Sequence, residues 1–183
     1  GRDGKALRTL CGRPAAIVTF LEGMWPRQVQ PMHCKLLGDA MARMHVVGSS
    51  FAIRRDNALG PQGWRALVEA CAPRAAEVRA DLGRLIEDEL AFLETRWPKG
   101  LPAGVIHADL FPDNVFFLGD RCSGVIDFYF ACNDLFAYDL AICLNAWCFE
   151  RQSEFNTTKA RLMLQAYQAV RAVSRAEIAA PPL

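Results

Sequence analysis

The chain has 183 residues, 52% of them hydrophobic, which is enough for one domain with a sizeable core. Its 21 basic and 20 acidic side chains are interleaved and give a formal charge of +1, which argues against a nucleic-acid or membrane-surface partner. No apolar stretch is long enough to span a bilayer, and seven cysteines at irregular spacing predict free thiols in a cytoplasmic protein.

The first elements are two predicted strands, over residues 5–10 and 15–21, joined by a turn containing glycine and proline. The second, AAIVTFL, is rich in β-branched and aromatic residues and predicts a buried strand. Glu22 and Gly23 end this strand, and a loop with two prolines leads on to the next element.

Helices are predicted for most of the remaining chain, over residues 33–45, 64–71, 75–95, 133–150 and 154–173. Apolar residues recur at helical spacing in these segments, which is typical of helices that pack against a core. Between them, Val115–Leu118 and Gly124–Phe128 flank the turn residues Gly119, Asp120 and Arg121 and predict a β-hairpin.

The chemistry-bearing motif surrounds this hairpin. Residues 107–114 read HADLFPDN, and residues 125–128 read VIDF. The kinase pattern H-R-D-L-x-x-x-N, followed by D-F-G, matches at most of these positions. Phosphoryl transfer needs a carboxylate that accepts the hydroxyl proton of the acceptor, and two oxygen ligands for Mg²⁺. Asp109 fits the first role, and Asn114 and Asp127, which the hairpin brings together, fit the second.

Departures from the protein-kinase pattern favour a small acceptor. Position 108 is Ala rather than Arg, which argues against control by a phosphorylated loop, and position 129 is Tyr rather than Gly. Only eleven residues separate Asp127 from Asp139, and no A-P-E motif follows. This leaves no room for the long segment that would bind a peptide, so the motif predicts a small-molecule substrate.

The chain lacks a G-x-G-x-x-G loop and a strand lysine of the V-A-I-K type, which cover the phosphates in complete kinases. We therefore expect residues 1–22 to be the remnant of an N-terminal lobe with its hinge strand. Residues 23–183 are expected to form a C-terminal lobe that is incomplete at its end. Main-chain groups of Phe20, Leu21 and Glu22 are the candidate adenine contacts. Alone, this fragment is expected to bind nucleotide poorly and to be inactive.

The chain resembles the aminoglycoside phosphotransferase-like kinases, whose loops read H-x-D-x-x-x-x-N and then I-D-[FW]. Residues 105–120 and 124–150 are more narrowly similar to the homoserine kinases of that superfamily. The resemblance implies an α+β protein-kinase-like fold. It also implies ATP and Mg²⁺ as cofactors and L-homoserine as the substrate, converted to O-phospho-L-homoserine in threonine biosynthesis. By motif position it makes Asp109 the catalytic base, Asn114 and Asp127 the metal ligands, and His107 a structural brace of the loop.

L-Homoserine carries an ammonium and a carboxylate, so its pocket should offer an acidic group and a donor. The candidates for the ammonium are Asp113, Asn133, Asp134 and Asp139. A capping role at the start of the following helix is the preferred interpretation for Asp139, and Asp134 could cap as well. Arg27 or Tyr129 are the candidates for the carboxylate.

Two alternatives stay open at this stage. The same chemistry could act on another small molecule, such as an aminoglycoside, choline or a methylthioribose-like substrate. The chain could instead be a non-catalytic pseudokinase that serves as a binding module, although the joint presence of Asp109, Asn114 and Asp127 argues against this. The sequence leaves the oligomeric state open.

Overall fold

The computed structural model describes residues 4–150 and 154–180. The strands are β1 Leu7–Leu10, β2 Arg13–Ala16, β3 Ala103–Ile106, β4 Val115–Leu118, β5 Arg121–Val125 and β6 Cys132–Leu135. The helices are α1 Pro31–Gly48, α2 Pro61–Cys71, α3 Leu82–Arg96, α4 Phe136–Cys148, α5 Thr157–Val170 and α6 Arg175–Ala179. Short 3₁₀ helices span Ala72–Glu77, Pro112–Asn114 and Phe128–Phe130. The architecture is α+β and mostly helical.

Three antiparallel strand pairs make up the described β structure: β1 with β2, β3 with β6, and β4 with β5. The β4–β5 pair is the predicted hairpin, in which Val115 lies opposite Val125, but its second strand begins and ends three residues earlier than the predicted 124–128. The β3–β6 pair, in which Ile106 lies opposite Cys132, was not predicted. This pairing matters because β3 leads into residues 107–114 and β6 follows Asp127. It therefore holds the two parts of the motif together at a second place besides the hairpin.

The predicted buried strand over residues 15–21 is wrong. Strand β2 ends at Ala16, and the residues after it have no regular structure. Ile17 is 99% exposed and Phe20 86% exposed. The β-branched run has high strand propensity, but propensity alone does not form a strand where the segment has no partner to pair with.

The core is formed mainly by α1, α4 and α5 with the β4–β5 hairpin. Helix α1 begins with Pro31 at its first turn, and the side chains of Gln30 and His33 form a reciprocal capping box. Gly38 lets α1 approach α5 closely, since a Cβ at this position would lie 2.2 Å from the carbonyl oxygen of Met163. The prediction of a core-facing amphipathic helix at 33–45 is confirmed, with three further residues at its C-terminal end.

The helical segment before the motif differs from its prediction. Instead of one helix over residues 75–95, a 3₁₀ helix is followed by α3, and Val78 between them is 81% exposed. Helix α2 has no buried residue and α3 has only Leu90. The apolar residues of α2 and α3 therefore contact each other and the 3₁₀ helix between them rather than the main core.

The helix predicted within residues 133–150 is α4, which begins at Phe136 because residues 132–135 pair with β3 as strand β6. Helix α4 then carries Trp147 into the core. In the part of the chain that the structure describes, no helix combines the length and the apolar character needed to cross a bilayer.

Candidate active site

The site begins where β3 ends. From His107 the chain folds into a tight loop in which the amide of Phe111 donates to the carbonyl of Asp109 at 2.8 Å. The amide of Asn114 donates in turn to the carbonyl of Phe111 at 3.0 Å. These local bonds give the eight-residue motif a fixed shape before any ligand is present.

Asn114 and Asp109 are joined directly. The Asn114 amide nitrogen Nδ2 donates to the Asp109 main-chain oxygen at 2.8 Å and to its carboxylate oxygen Oδ2 at 3.1 Å. Asn114 is nearly buried, so this amide has little freedom to turn. Because the nitrogen is used in this way, the side-chain oxygen is the atom that Asn114 can offer to a cation.

Asp127 reaches the same place through the hairpin. The amide of Ile126 donates to the carbonyl of Asn114 at 3.0 Å, so the residue before Asp127 lies opposite Asn114. Asp127 itself adopts a left-handed conformation with φ of 60°. Asp is one of the few residues that tolerate this region, which explains how the turn forms although position 129 is Tyr.

His107 connects the loop to the hairpin. The amide of Asp109 donates to His107 Nδ1 at 3.2 Å, which leaves Nε2–H to donate to the carbonyl of Ile126 at 2.9 Å. Its ring also packs against Phe128, with centroids 4.6 Å apart. His107 is fully buried. These contacts fit the expected role of a structural brace between the residues around Asp109 and those around Asp127.

The acidity of Asp109 suits a proton acceptor. Burial raises the pKa of its carboxyl above the ordinary value, and the negative charges of Asp127 and Asp113 act in the same direction. The hydrogen bond from Asn114 opposes this and lowers the pKa. The balance raises the pKa of Asp109 toward neutrality, where a general base is most effective.

The preferred interpretation of Asp139 as a helix cap is wrong. Leu135 is the N-cap of α4, and Asp139 lies inside the helix, fully buried. Its carboxylate accepts from the amide of His107 at 3.1 Å and from the amide of Ala108 at 2.8 Å. Ala108 has φ of 64°, a strained conformation for alanine, and the two bonds from Asp139 hold it there. Asp139 therefore anchors the catalytic loop.

His45 is a residue of this network to which the sequence analysis gave no role beyond its place at the end of the helix predicted over 33–45. Its Nε2–H donates to the Asp139 carboxylate at 2.9 Å, and its Nδ1 lies 2.7 Å from the Tyr167 hydroxyl. Burial raises the pKa of Tyr167 to about 12, so this hydroxyl keeps its proton. The signal in the sequence was a histidine among the apolar residues of a helix, which a buried partner must satisfy.

The candidate acceptor residues do not all line one groove. Asp134 lines an open groove of about 780 Å³ between α2 and β6, together with Asp56, Asn57 and Asn133. Asp113 lies in the 3₁₀ turn just before Asn114. Tyr129 and Arg27 are exposed, and neither is among the residues that line the groove. Asp134 already accepts a hydrogen bond from the Asn57 amide at 2.6 Å.

The hinge candidates lie beside the hairpin. Met24 and Phe117 exchange main-chain hydrogen bonds of 3.0 and 2.9 Å, which attaches the segment after the hinge to β4. Gly23 is required here, because a Cβ would lie 2.7 Å from the Phe117 carbonyl and φ is 129°. Leu21 packs on Gly124. Phe20 and Glu22 are exposed.

The chain matches known proteins over nearly its whole length. The sequence model of the phosphotransferase enzyme family (APH) matches residues 1–173. A relative from Paramagnetospirillum magneticum, named homoserine kinase, is 61% identical over the whole of this chain and 58% of its own length. The chain thus spans little more than half of such relatives.

Solved structures have the same fold. An aminoglycoside-3'-phosphotransferase of type VIII superposes with a TM-score of 0.65, at 24% identity over 87% of this chain and 63% of its own. A spectinomycin phosphotransferase in complex with ADP and spectinomycin gives a TM-score of 0.60, at 15% identity over 91% of this chain and 55% of its own. The predicted α+β, protein-kinase-like fold is confirmed. The chain belongs to the phosphotransferase enzyme family, APH.

Proposed function

We propose that this chain supplies the catalytic half of an ATP-dependent kinase that phosphorylates the hydroxyl of L-homoserine. The observation that carries the proposal is the Asn114 amide bonded to the Asp109 carboxylate beside the turn that presents Asp127. In this proposal residues 1–22 are the end of an N-terminal lobe and residues 23–183 belong to the C-terminal lobe. The 61% identical relative named homoserine kinase supports the choice of acceptor.

Asp109 is the proposed catalytic base. Its carboxylate orients the acceptor hydroxyl and takes up its proton as the bond to phosphorus forms. Its raised pKa favours proton uptake near neutral pH. The second oxygen of the carboxylate is fixed by Asn114, which limits rotation of the side chain and keeps the base aimed at one position.

The oxygen donors of Asn114 and Asp127 fit Mg²⁺, which prefers carboxylate and carbonyl oxygens and retains water as further ligands. When bound, the ion offsets negative charge on the transferring phosphate. The chain contributes the orientation of both ligands: Asp109 fixes the Asn114 amide, and the Asn114–Ile126 backbone bond sets the distance to the Asp127 turn. In this proposal His107 preserves that arrangement without touching the substrate.

Main-chain groups of Phe20, Leu21 and Glu22 are proposed to contact the adenine of ATP. Their position beside β4 and β5 supports this, because Leu21 and Met24 both contact the hairpin that carries the metal ligands. The ADP in the complex of the spectinomycin phosphotransferase supports a nucleotide as the second ligand of this fold.

The ammonium of the acceptor is proposed to be received by Asp134, in which case the acceptor lies in the groove that Asp134 lines, or by Asp113, which lies outside that groove. Tyr129 and Arg27 remain the proposed contacts of its carboxylate. The free state of all seven cysteines fits the proposed cytoplasmic location, where thiols stay reduced.

The acceptor is tested with a chimera in which residues 1–183 replace the matching part of the Paramagnetospirillum magneticum relative. Purified chimera is assayed with Mg·ATP against L-homoserine, choline, an aminoglycoside and methylthioribose. We expect kcat/KM to be highest for L-homoserine. A preference for another alcohol would refute the acceptor, and nucleotide binding without transfer, in conditions where the parent relative is active, would refute the kinase assignment.

The chain by itself gives a second test. Isothermal titration of residues 1–183 with Mg·ATP should show weak binding, because no glycine-rich loop or strand lysine is present to cover the phosphates. Tight binding would contradict the expectation that groups of an N-terminal lobe are needed to bind the phosphates of ATP.

A further inference from the structure

The turn after Asp127 is held mainly by contacts with another segment of the chain. Phe128–Phe130 form one 3₁₀ turn, closed by a bond from the Ala131 amide to the Phe128 carbonyl at 3.1 Å. The turn is exposed, with Tyr129 at 71%. The carbonyl of Tyr129 in the turn and that of Ala131, just after it, both accept hydrogen bonds from a single side chain from a distant part of the sequence, Arg55.

Arg55 lies in the loop between α1 and α2. Its guanidinium nitrogen Nη1 donates to the Tyr129 carbonyl and, at 3.5 Å, weakly to the Ala131 carbonyl. The guanidinium carbon lies 5.9 Å from the centroid of the Tyr129 ring. One side chain therefore contacts the turn at two carbonyls and one ring face.

The main chain of Arg55 is fixed to β6. Its amide donates to Asn133 Oδ1 at 2.9 Å, and its carbonyl accepts from the Asn133 amide at 2.7 Å. The next residues continue this contact: Asp56 pairs with Asn133 in a parallel bridge, and Asn57 donates to Asp134. The guanidinium thus projects from an anchored backbone, which reduces the entropy lost when it binds the turn.

We propose that Arg55 is a positioning residue that sets the turn behind Asp127 and, through it, the direction of the Asp127 carboxylate. The turn cannot use glycine at position 129, and Asp127 has the left-handed φ of 60°. A strained residue persists only where its surroundings over-determine it. Hydrogen bonds from a charged donor are stronger than neutral ones, so Arg55 is suited to this role despite its exposure.

The proposal has two separable parts. Control of the turn by Arg55 stands on the contacts alone. Its consequence for cation binding rests on the proposed function, in which Asp127 is a metal ligand. The chain offers a matched control, Arg54, which is exposed and makes no hydrogen bond or ion pair with the described residues.

The first experiment measures exchange of the Ala131 amide by NMR in metal-free residues 1–183. Arg55→Ala should speed this exchange about tenfold, the effect of roughly 1.4 kcal/mol of lost local stability. Arg55→Lys keeps one charged donor and should give a smaller increase. Arg54→Ala should leave the rate unchanged, as should the Asn114 amide in all variants. Equal exchange in wild type and Arg55→Ala would overturn the proposal.

The second experiment measures Mn²⁺ affinity of the chimera by paramagnetic relaxation of water, together with the Mg²⁺ dependence of turnover. Arg55→Ala should weaken both about fivefold, with kcat at saturating metal within about twofold of wild type. If Arg55→Ala only destabilises the fold, it should lower the melting temperature and the folded fraction without shifting the metal dependence.

The outcomes separate the two assignments. Faster Ala131 exchange with unchanged Mn²⁺ affinity would overturn the link from Arg55 to Asp127 and leave the kinase proposal intact. A wild-type chimera that binds no Mn²⁺ would contradict the proposed function. The exchange of the Ala131 amide would still test the role of Arg55 in that case. If Arg55→Ala does not fold, Arg55→Lys against Arg54→Lys decides the first experiment in the same way.

Discussion

The two halves of the candidate site are held in opposite ways. The catalytic loop is fastened from the interior: Asp139 of α4 and His45 of α1 are fully buried and bond to it or to each other. The turn after Asp127 lies at the surface and depends on the exposed Arg55. The proposed proton acceptor, Asp109, is thus on a loop that buried side chains hold, whereas Asp127, a proposed metal ligand, leads into a segment that solvent reaches.

This difference predicts different responses to substitution. When a buried charged group loses its partner, water cannot replace the lost hydrogen bond. Substitutions around the loop should therefore lower the free energy of unfolding strongly. Water can replace an exposed contact with little change in free energy. Substitutions at the turn should therefore alter local geometry more than global stability. The predictions below compare changes in the two halves.

Asp109→Asn should have the largest effect on catalysis. Loss of the base should lower kcat of the chimera about a thousandfold, within the range known for general bases. Asp120→Asn, in the exposed hairpin turn, is the matched control and should retain activity. Activity of Asp109→Asn near the wild-type level would mean that another group accepts the proton.

The same variant should be more stable than wild type at neutral pH. Burial raises the folded-state pKa of Asp109, so its ionised form disfavours folding. The advantage of the amide should be present at pH 7 and disappear as the pH falls below the ordinary value of 3.8, where the carboxyl is protonated in both states. Melting temperatures measured across this range check the sign.

Asp139→Asn should lower the free energy of unfolding by about 3 kcal/mol, because an amide cannot accept from both the His107 and Ala108 amides and also from His45. Urea denaturation measures the change. Asp88→Asn on the exposed face of α3 is the control. Hydrogen exchange should rise at 107–108 and stay constant at 128–131; a rise of both would show that the two halves are not independent.

Trp147→Phe should lower the free energy of unfolding by about 2 kcal/mol. The buried indole Nε1–H donates to the Leu110 carbonyl, next to Asp109, at 2.6 Å, and phenylalanine leaves this carbonyl without its donor. The half-exposed Trp25 provides the comparison, since Trp25→Phe should change stability by less than about 0.5 kcal/mol. Similar losses for both would contradict the anchoring of the loop by α4.

Tyr129→Phe should have the smallest effect, within about 0.5 kcal/mol, because its hydroxyl lies at the surface. The same change at Tyr167, whose buried hydroxyl contacts His45, should lower the free energy of unfolding by about 1.5 kcal/mol. In the chimera, Tyr129→Phe should raise KM for L-homoserine without lowering kcat if the hydroxyl contacts the acceptor. An unchanged KM would remove Tyr129 from the candidate list.

Local patterns were sufficient where neighbouring residues provide the structure. The hairpin was predictable because its turn residues and both strands lie within eleven positions, 115–125, although the predicted bounds of the second strand, 124–128, were three residues too late. Helix α1 was predictable from its apolar periodicity. The strand over 15–21 failed because its composition resembles that of a buried strand, while nothing in the described chain covers it. The role of Asp139 was missed because its partners lie 31 and 32 positions away.

The sequence alone predicted which side chains could do the chemistry: Asp109 and Asn114 lie just before one predicted hairpin and Asp127 lies at its far end, which allows few arrangements. Only the tertiary structure decided what holds these atoms still. A buried carboxylate on α4 and a guanidinium from the loop after α1 are each far from the motif in the sequence, and no local pattern records a contact between segments that folding alone brings together.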